Sequence, residues 1–205
     1  ATVWLHLRHQ PRAAAEAPLL VLDVDDGVQC VLIETHEREP AQCDASLAQN
    51  LHAHVRLARG ARLQHLRIVT PGAQDRCAHF VHARLAQDAH YAQALAATGS
   101  SYHLQRTHVQ LLGAGAQARS AGLLLTGPHT LDQQVFSRLE AARTTSQVEV
   151  LALGNASART VANAYTRIAA GSDDASVHQR LSGIALDGQP RMVLRPHLEI
   201  LHDQV

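Results

Sequence analysis

Val55-Arg-Leu-Ala-Arg-Gly60-Ala61, Ala83-Arg-Leu-Ala-Gln-Asp88-Ala89, Val109-Gln-Leu-Leu-Gly-Ala-Gly115-Ala116 and Val150-Leu-Ala-Leu-Gly-Asn155-Ala156 share one grammar. Each runs apolar residues into a Gly, Asp or Asn and then an Ala. Those three residue types tolerate positive φ, so they end a strand at little cost. Their turn residues stand 28, 27 and 40 positions apart. Uneven rungs with loose insertions fit a parallel β-helix better than a propeller, whose blades keep a near-constant length. A β-helix stacks inward Val, Leu, Ile and Ala and needs few large aromatics.

Working outward, the dominant period is two. Val3, Leu5 and Leu7 alternate with Thr2, Trp4 and His6, and Leu20, Leu22 and Val24 alternate with Val21 and Asp23. Comparable runs of about four to eight residues recur along the chain, as strands do. Two windows imitate helices. Ala13 to Ala17 is boxed in by Pro11 and Pro18, and Arg84 to Ala97 is rich in alanine. The pattern predicts an all-β chain in which Val109 and Leu111 point inward on one rung.

The 205 residues suffice for one well-buried domain. An apolar fraction of 46% excludes disorder, and no apolar run reaches the roughly 18 residues of a membrane span. All 18 basic residues are Arg and are matched by 18 acidic ones, so nothing marks a dedicated nucleic-acid binder. Aromatic residues, at 3%, are too few for base or sugar platforms. Cys30, Cys43 and Cys77 are widely spaced, which argues against disulfides and against a thiolate metal site. No basic region followed by an apolar stretch opens the sequence, so the expected compartment is the cytosol.

Fifteen histidines invite a metal reading. His52 and His54 would share one strand face, His79 and His82 straddle a strand, and His103 and His108 do not align. No carboxylate stands beside them at a diagnostic spacing. The expectation is ordinary histidines and no catalytic, cofactor-binding or metal site. Asp23, Asp25 and Asp26 before Gly27 lack the later Glu of a calcium loop and read as a turn, as do Asp173 and Asp174. Gly113-Ala-Gly115 lacks the third glycine or the Gly-Lys-Ser/Thr ending of a nucleotide loop. Cys30 reads as core, Cys43 as an exposed loop residue, and Cys77 as the start of a strand.

The order of segments adds a resemblance. Gly99-Ser-Ser-Tyr-His-Leu-Gln-Arg106-Thr-His-Val109-Gln-Leu111-Leu-Gly113-Ala-Gly115, Leu131-Asp132-Gln-Gln-Val135 and Ala142-Arg143-Thr-Thr-Ser146-Gln-Val148 resemble the core of the SufB/SufD family. So do Tyr165-Thr-Arg-Ile168, Asp173 to Leu181 and the closing Arg195-Pro-His-Leu198-Glu-Ile200-Leu-His-Asp203-Gln-Val205. SufD is the closer match. Leu139 stands where the family commonly has a His, and Arg180-Leu-Ser-Gly-Ile184 is more polar than the usual run.

The resemblance implies a right-handed parallel β-helix spanning 1–205 as a single core domain, trimmed of helical regions at both ends. It implies a non-catalytic scaffold subunit of the SUF iron–sulfur assembly complex, paired with a SufB-type paralogue and a SufC-type ATPase. The nascent cluster and the ATP then belong to the whole complex, and this fragment itself is expected to be colourless and metal-free. Competing classes are a polysaccharide-active β-helix, which wants converging carboxylates and aromatic platforms, and a purely structural one. The expected partner surface is the segment 191–205, through Met192, Leu194, Leu198 and Ile200. In isolation the same surface is expected to give a homodimer.

Overall fold

A computed structural model describes residues 2–10, 14–37 and 46–201. The expectation of an exposed Cys43 lies outside the described residues. In chain order the strands are β1 (Thr2–His9), β2 (Ala15–Glu16), β3 (Leu19–Val24), β4 (Gln29–Glu37), β5 (Ala48–Leu57), β6 (Arg62–Thr70), β7 (Arg76–Leu85) and β8 (His90–Thr98). They continue as β9 (Tyr102–Leu111), β10 (Gln117–Thr126), β11 (Thr130–Leu139), β12 (Thr145–Gly154), β13 (Arg159–Ile168), β14 (Ser176–Ala185) and β15 (Arg191–Ile200). There is no helix among the described residues, and the alanine-rich window 84–97 is the end of β7, a turn and most of β8.

From β3 onward each strand pairs in parallel with the strand two places on, β1 pairs with β4 and β2 with β5, and no strand pairs with its immediate successor. One sheet runs β1-β4-β6-β8-β10-β12-β14, and the other runs β15-β13-β11-β9-β7-β5-β2, with β3 also on β5. The chain is therefore a parallel β-helix of about seven turns with two flat walls. Alternation sends every second side chain into the space between the walls. Val109 and Leu111 are fully buried there, as the pattern predicts. Cys30 is buried in the same apolar core, and Cys77 is buried on the opposite wall.

The coil length corrects the sequence reading. Along one edge the left-handed residues are Gly27, Gly60, Asp88, Gly115, Arg143 and Asp174, and from Gly60 to Arg143 they recur every 27 or 28 positions. Asn155 belongs to the opposite edge, in the turn between β12 and β13, where Ala156 is the left-handed residue. Mixing the two edges produced the apparent spacing of 40. Over the whole edge the intervals are 33, 28, 27, 28 and 31 positions, so the rungs are regular in the middle and longer towards both ends.

The turns stack as tightly as the strands. The amide of Gly27 donates to Arg59 O at 2.9 Å, Gly60 to Gln87 O at 2.9 Å, and Asp88 to Ala114 O at 3.0 Å. Gly115 donates to Ala142 O at 3.0 Å and Arg143 to Asp173 O at 2.7 Å. Each left-handed residue thus bonds to the carbonyl just before its counterpart one coil further on. Gly113 sits under this stack, where a Cβ would fall 2.1 Å from the Gln87 amide nitrogen.

Two substitutions test this architecture. Leu111→Ala leaves a buried cavity, so denaturant melts are expected to show a loss of about 2–5 kcal/mol. Gly113→Ala is expected to destabilise at least as much, because backbone must move to admit one methyl group. A loss below about 0.5 kcal/mol for Leu111→Ala would mean the strand faces the other way.

Candidate functional site

The interior is not uniformly apolar. Along β6 the inward side chains run Leu63, His65, Arg67, Val69, so a histidine and an arginine separate the two apolar residues. Leu63 and Val69 belong to different core clusters. On the neighbouring rung β4 brings Glu34 and His36 inward, and register pairs Glu34 directly with Arg67. The facing wall supplies Gln49 from β5, His79 from β7, and His103 and Gln105 from β9.

Glu34 is fully enclosed and its carboxylate accepts four hydrogen bonds. Arg67 donates to both oxygens, at 3.0 Å to Oε1 and 3.2 Å to Oε2. His65 Nε2 donates at 2.9 Å to Oε2, and His36 Nε2 donates to Oε1. Arg67 is itself 1% exposed and spends its other donors on Gln105 Oε1 at 2.9 Å and His79 Nδ1 at 3.3 Å. The network then runs on. His79 Nε2 donates to Gln49 Oε1 at 2.6 Å, Gln105 Nε2 donates to His103 Nε2 at 2.7 Å, and His103 Nδ1 donates to Thr98 O at 2.7 Å. Tyr91 gives its hydroxyl proton to His65 Nδ1 at 3.1 Å.

These partners fix the tautomers. His79 and His103 each use one nitrogen as donor and the other as acceptor, so those rings are neutral. His65 and His36 donate to Glu34 through Nε2, His36 Nδ1 has no partner, and burial lowers both rings, so the enclosed charge near neutral pH is one carboxylate against one guanidinium. Electrostatics agree. Burial pushes the Glu34 carboxyl up, but Arg67 and the bonds from His36 and His65 outweigh it and hold it well below its ordinary value. Burial drives His79 well below its usual range with help from Arg67, and takes His103 to about 4 against its bond to Thr98. Burial also lowers His36 and His65, although their bonds to Glu34 oppose it.

One further histidine touches this network. His9 pairs with His36 across the β1–β4 ladder, and the rings stack with centroids 4.2 Å apart. Potential ligand atoms of His9, Glu34 and His36 all lie within 4.8 Å of one another. This overturns the premise that the histidines do not converge. Neighbours in sequence mislead here: His79 and His103 enter the interior network, while His82 and His108 face outward. The signal lay in comparing positions one coil apart. Once Gly60, Asp88 and Gly115 are aligned as equivalent turns, interior polar residues fall on adjacent rungs.

The outward histidines form their own column on the second wall. Register stacks His54, His82, His108, Phe136, Tyr165 and His197 on successive rungs. His54 and His82 stack at 5.2 Å, and Tyr165 and His197 at 4.8 Å. His52 shares this face and stacks on Phe80 at 4.8 Å. Asp25 and Asp26 before Gly27, and Asp173 and Asp174 after Ser172, lie in turns as expected, whereas Asp23 is an exposed residue of β3.

The expected partner residues occupy the last rung. Met192, Leu194, Leu198 and Ile200 lie on the face of β15 that continues the interior. Leu198 and Ile200 are 47% and 45% exposed, whereas their rung-mates Thr166 and Ile168 on β13 are 0% and 1% exposed. Met192 and Leu194 pack half-buried against the core. Among the described residues, the rung formed by β15 is partly open and apolar, and its outer edge carries no further strand.

Glu34→Gln removes the anion that balances Arg67, and the cost is expected to be about 3–5 kcal/mol, as when one partner of a buried pair is lost. A loss under about 1 kcal/mol would mean that Arg67 finds other compensation. The neutral histidines set the pH dependence. Their folded-state values lie below the unfolded value of about 6.5, so the unfolded chain takes up protons first. Stability is expected to be full above about pH 6.5 and to fall as pH drops, down to about 4, where His103 protonates in the folded protein. Melting temperatures that stay flat between pH 5 and 7 would contradict the neutral assignment.

No curated protein matches the chain. A family model described as "SUF system FeS cluster assembly, SufBD core domain" matches residues 7–205, which takes in the stacked turns, the interior network and the open last rung. A match over nearly the whole length leaves one conclusion: the chain belongs to the SufBD core-domain family of the SUF iron–sulfur cluster assembly system.

Proposed function

We propose that this chain is a SufD-like scaffold subunit without catalytic activity of its own. It pairs with a SufB-type paralogue and works with a SufC-type ATPase in the cytosol, where the assembled complex handles a nascent iron–sulfur cluster as cargo. The family match over residues 7–205 carries the reading. The closing Arg195-Pro-His-Leu198-Glu-Ile200 and the order of the preceding segments support the family, within which SufD is taken as the closer match.

The surface offered for pairing is the last rung. Leu198 and Ile200 hold interior positions that no further coil covers among the described residues, and β15 presents a free row of backbone donors and acceptors. A paralogous β-helix ending in the same way completes both defects at once, by edge pairing and by burial of apolar side chains. Cys30 and Cys77 are both buried, and burial pushes the Cys30 thiol up, away from the thiolate a cluster ligand needs.

Co-expression with a SufB-type paralogue and a SufC-type ATPase tests this reading. A single complex containing all three chains is expected on size exclusion, and Leu198→Lys with Ile200→Lys is expected to weaken recovery of the paralogue at least tenfold. Absence of a complex, or one indifferent to both charges, would sink the proposal. In isolation the same rung is expected to self-associate, so light scattering would report a dimer that the two lysines convert to monomer. A 22 kDa species at all concentrations would refute self-association.

A further inference from the structure

We propose that His9 and His36, with Glu34 beside them, form a mononuclear site for a divalent transition-metal ion in the first coils of the β-helix. The first observation is convergence. Among the described residues, the ligand atoms of His9, Glu34 and His36 gather within 4.8 Å. A metal–imidazole bond is about 2.0–2.1 Å and lies in the ring plane, so sharing one ion requires the parallel rings to tilt out of their stack, and His9, on the edge strand β1, is the ring that turns.

The second observation is independent and concerns unmet hydrogen bonding. His36 is 5% exposed, and its Nδ1 is buried with no hydrogen-bond partner; His9 Nε2 is buried and unpartnered as well. A buried polar atom left unpaired costs roughly 1–3 kcal/mol. Both nitrogens of His65, His79 and His103, and Nε2 of His36, have partners. The two orphans sit on rings that stack across adjacent rungs.

The tautomer of His36 turns the orphan into a ligand. Because Nε2–H donates to Glu34, Nδ1 holds a free lone pair. A carboxylate bonded to one imidazole nitrogen while the other nitrogen binds metal is a recurrent support that fixes the ring and raises its basicity. Glu34 is held in turn by Arg67 and His65, so the support is rigid before any ion arrives. Burial also keeps both rings neutral, the form that ligates.

The donor set defines the class of ion. Imidazole nitrogens suit zinc, iron(II), cobalt, nickel and copper, while magnesium and calcium want oxygen. Arg67 already balances the Glu34 charge, so the nitrogens set the affinity, and binding strengthens from manganese towards copper. The proposal stands on these side chains and not on the scaffold reading, so either can fail alone.

Titration of the full chain with zinc(II) by calorimetry, and with cobalt(II) by visible absorption, tests it. One equivalent is expected, unaffected by excess magnesium, with a rise in melting temperature. His36→Ala and His9→Gln are expected each to weaken that equivalent at least tenfold. His9 lies on the edge strand β1, and circular dichroism on its variant shows that the coil remains folded. The exposed column is the rival, so His82→Ala with His108→Ala must leave the equivalent in place. No binding, binding retained in both interior variants, or binding lost with His82 and His108 would each overturn the proposal.

Discussion

No coil of this protein can satisfy its own backbone. Each strand finds its hydrogen-bond partners 26 to 33 residues away, and the left-handed turn residues extend the same rule around the corner, amide to the next coil's carbonyl. Sheet and turn are one continuous ladder, so positive φ at Gly60, Asp88 and Gly115 is demanded by stacking and not merely by chain reversal. Everything else hangs from that constraint. It brings the walls face to face and fixes which side chains share a level.

Stacking also explains how so polar an interior is tolerated. A lone buried carboxylate or guanidinium would cost several kcal/mol, and the ladder holds Glu34 and Arg67 side by side on paired strands. The remaining donors of Arg67 then reach across to the facing wall, where Gln105 and His79 receive them. Such an arrangement is satisfied by geometry more than by strength. His65, His79 and His103 serve as connectors, each passing one hydrogen bond on and taking one in, while His36 only donates.

Much of this was legible in sequence. Alternation marked the strands, and Gly, Asp and Asn after apolar runs marked the turns. The inward placement of Val109 and Leu111 followed from period two alone. What sequence reading lost was the coil length, because Asn155 was aligned with turns on the opposite edge. That slip hid the interior network as well. Glu34 and Arg67 stand 33 residues apart and become neighbours only once the register between rungs is known. His36 and His9 are similar, since a lone pair is recognised as unpartnered only after every other nitrogen has been assigned. The end rung was legible in its alternation, whereas the contrast between exposed Ile200 and buried Ile168 required coordinates.

A solenoid with only nearest-neighbour contacts unfolds like a zipper, losing end coils one at a time. The Glu34–Arg67–Gln105–His103 chain adds a polar coupling to that stack, each link joining neighbouring coils, since its members come from β4, β6 and β9, and His79 and Gln49 add β7 and β5. Removing any one of these strands strands a buried charge or a buried donor belonging to the others. The first half of the helix is therefore expected to open more cooperatively than the rungs from β10 onward, with amide exchange there governed by the buried ion pair as well as by the apolar core.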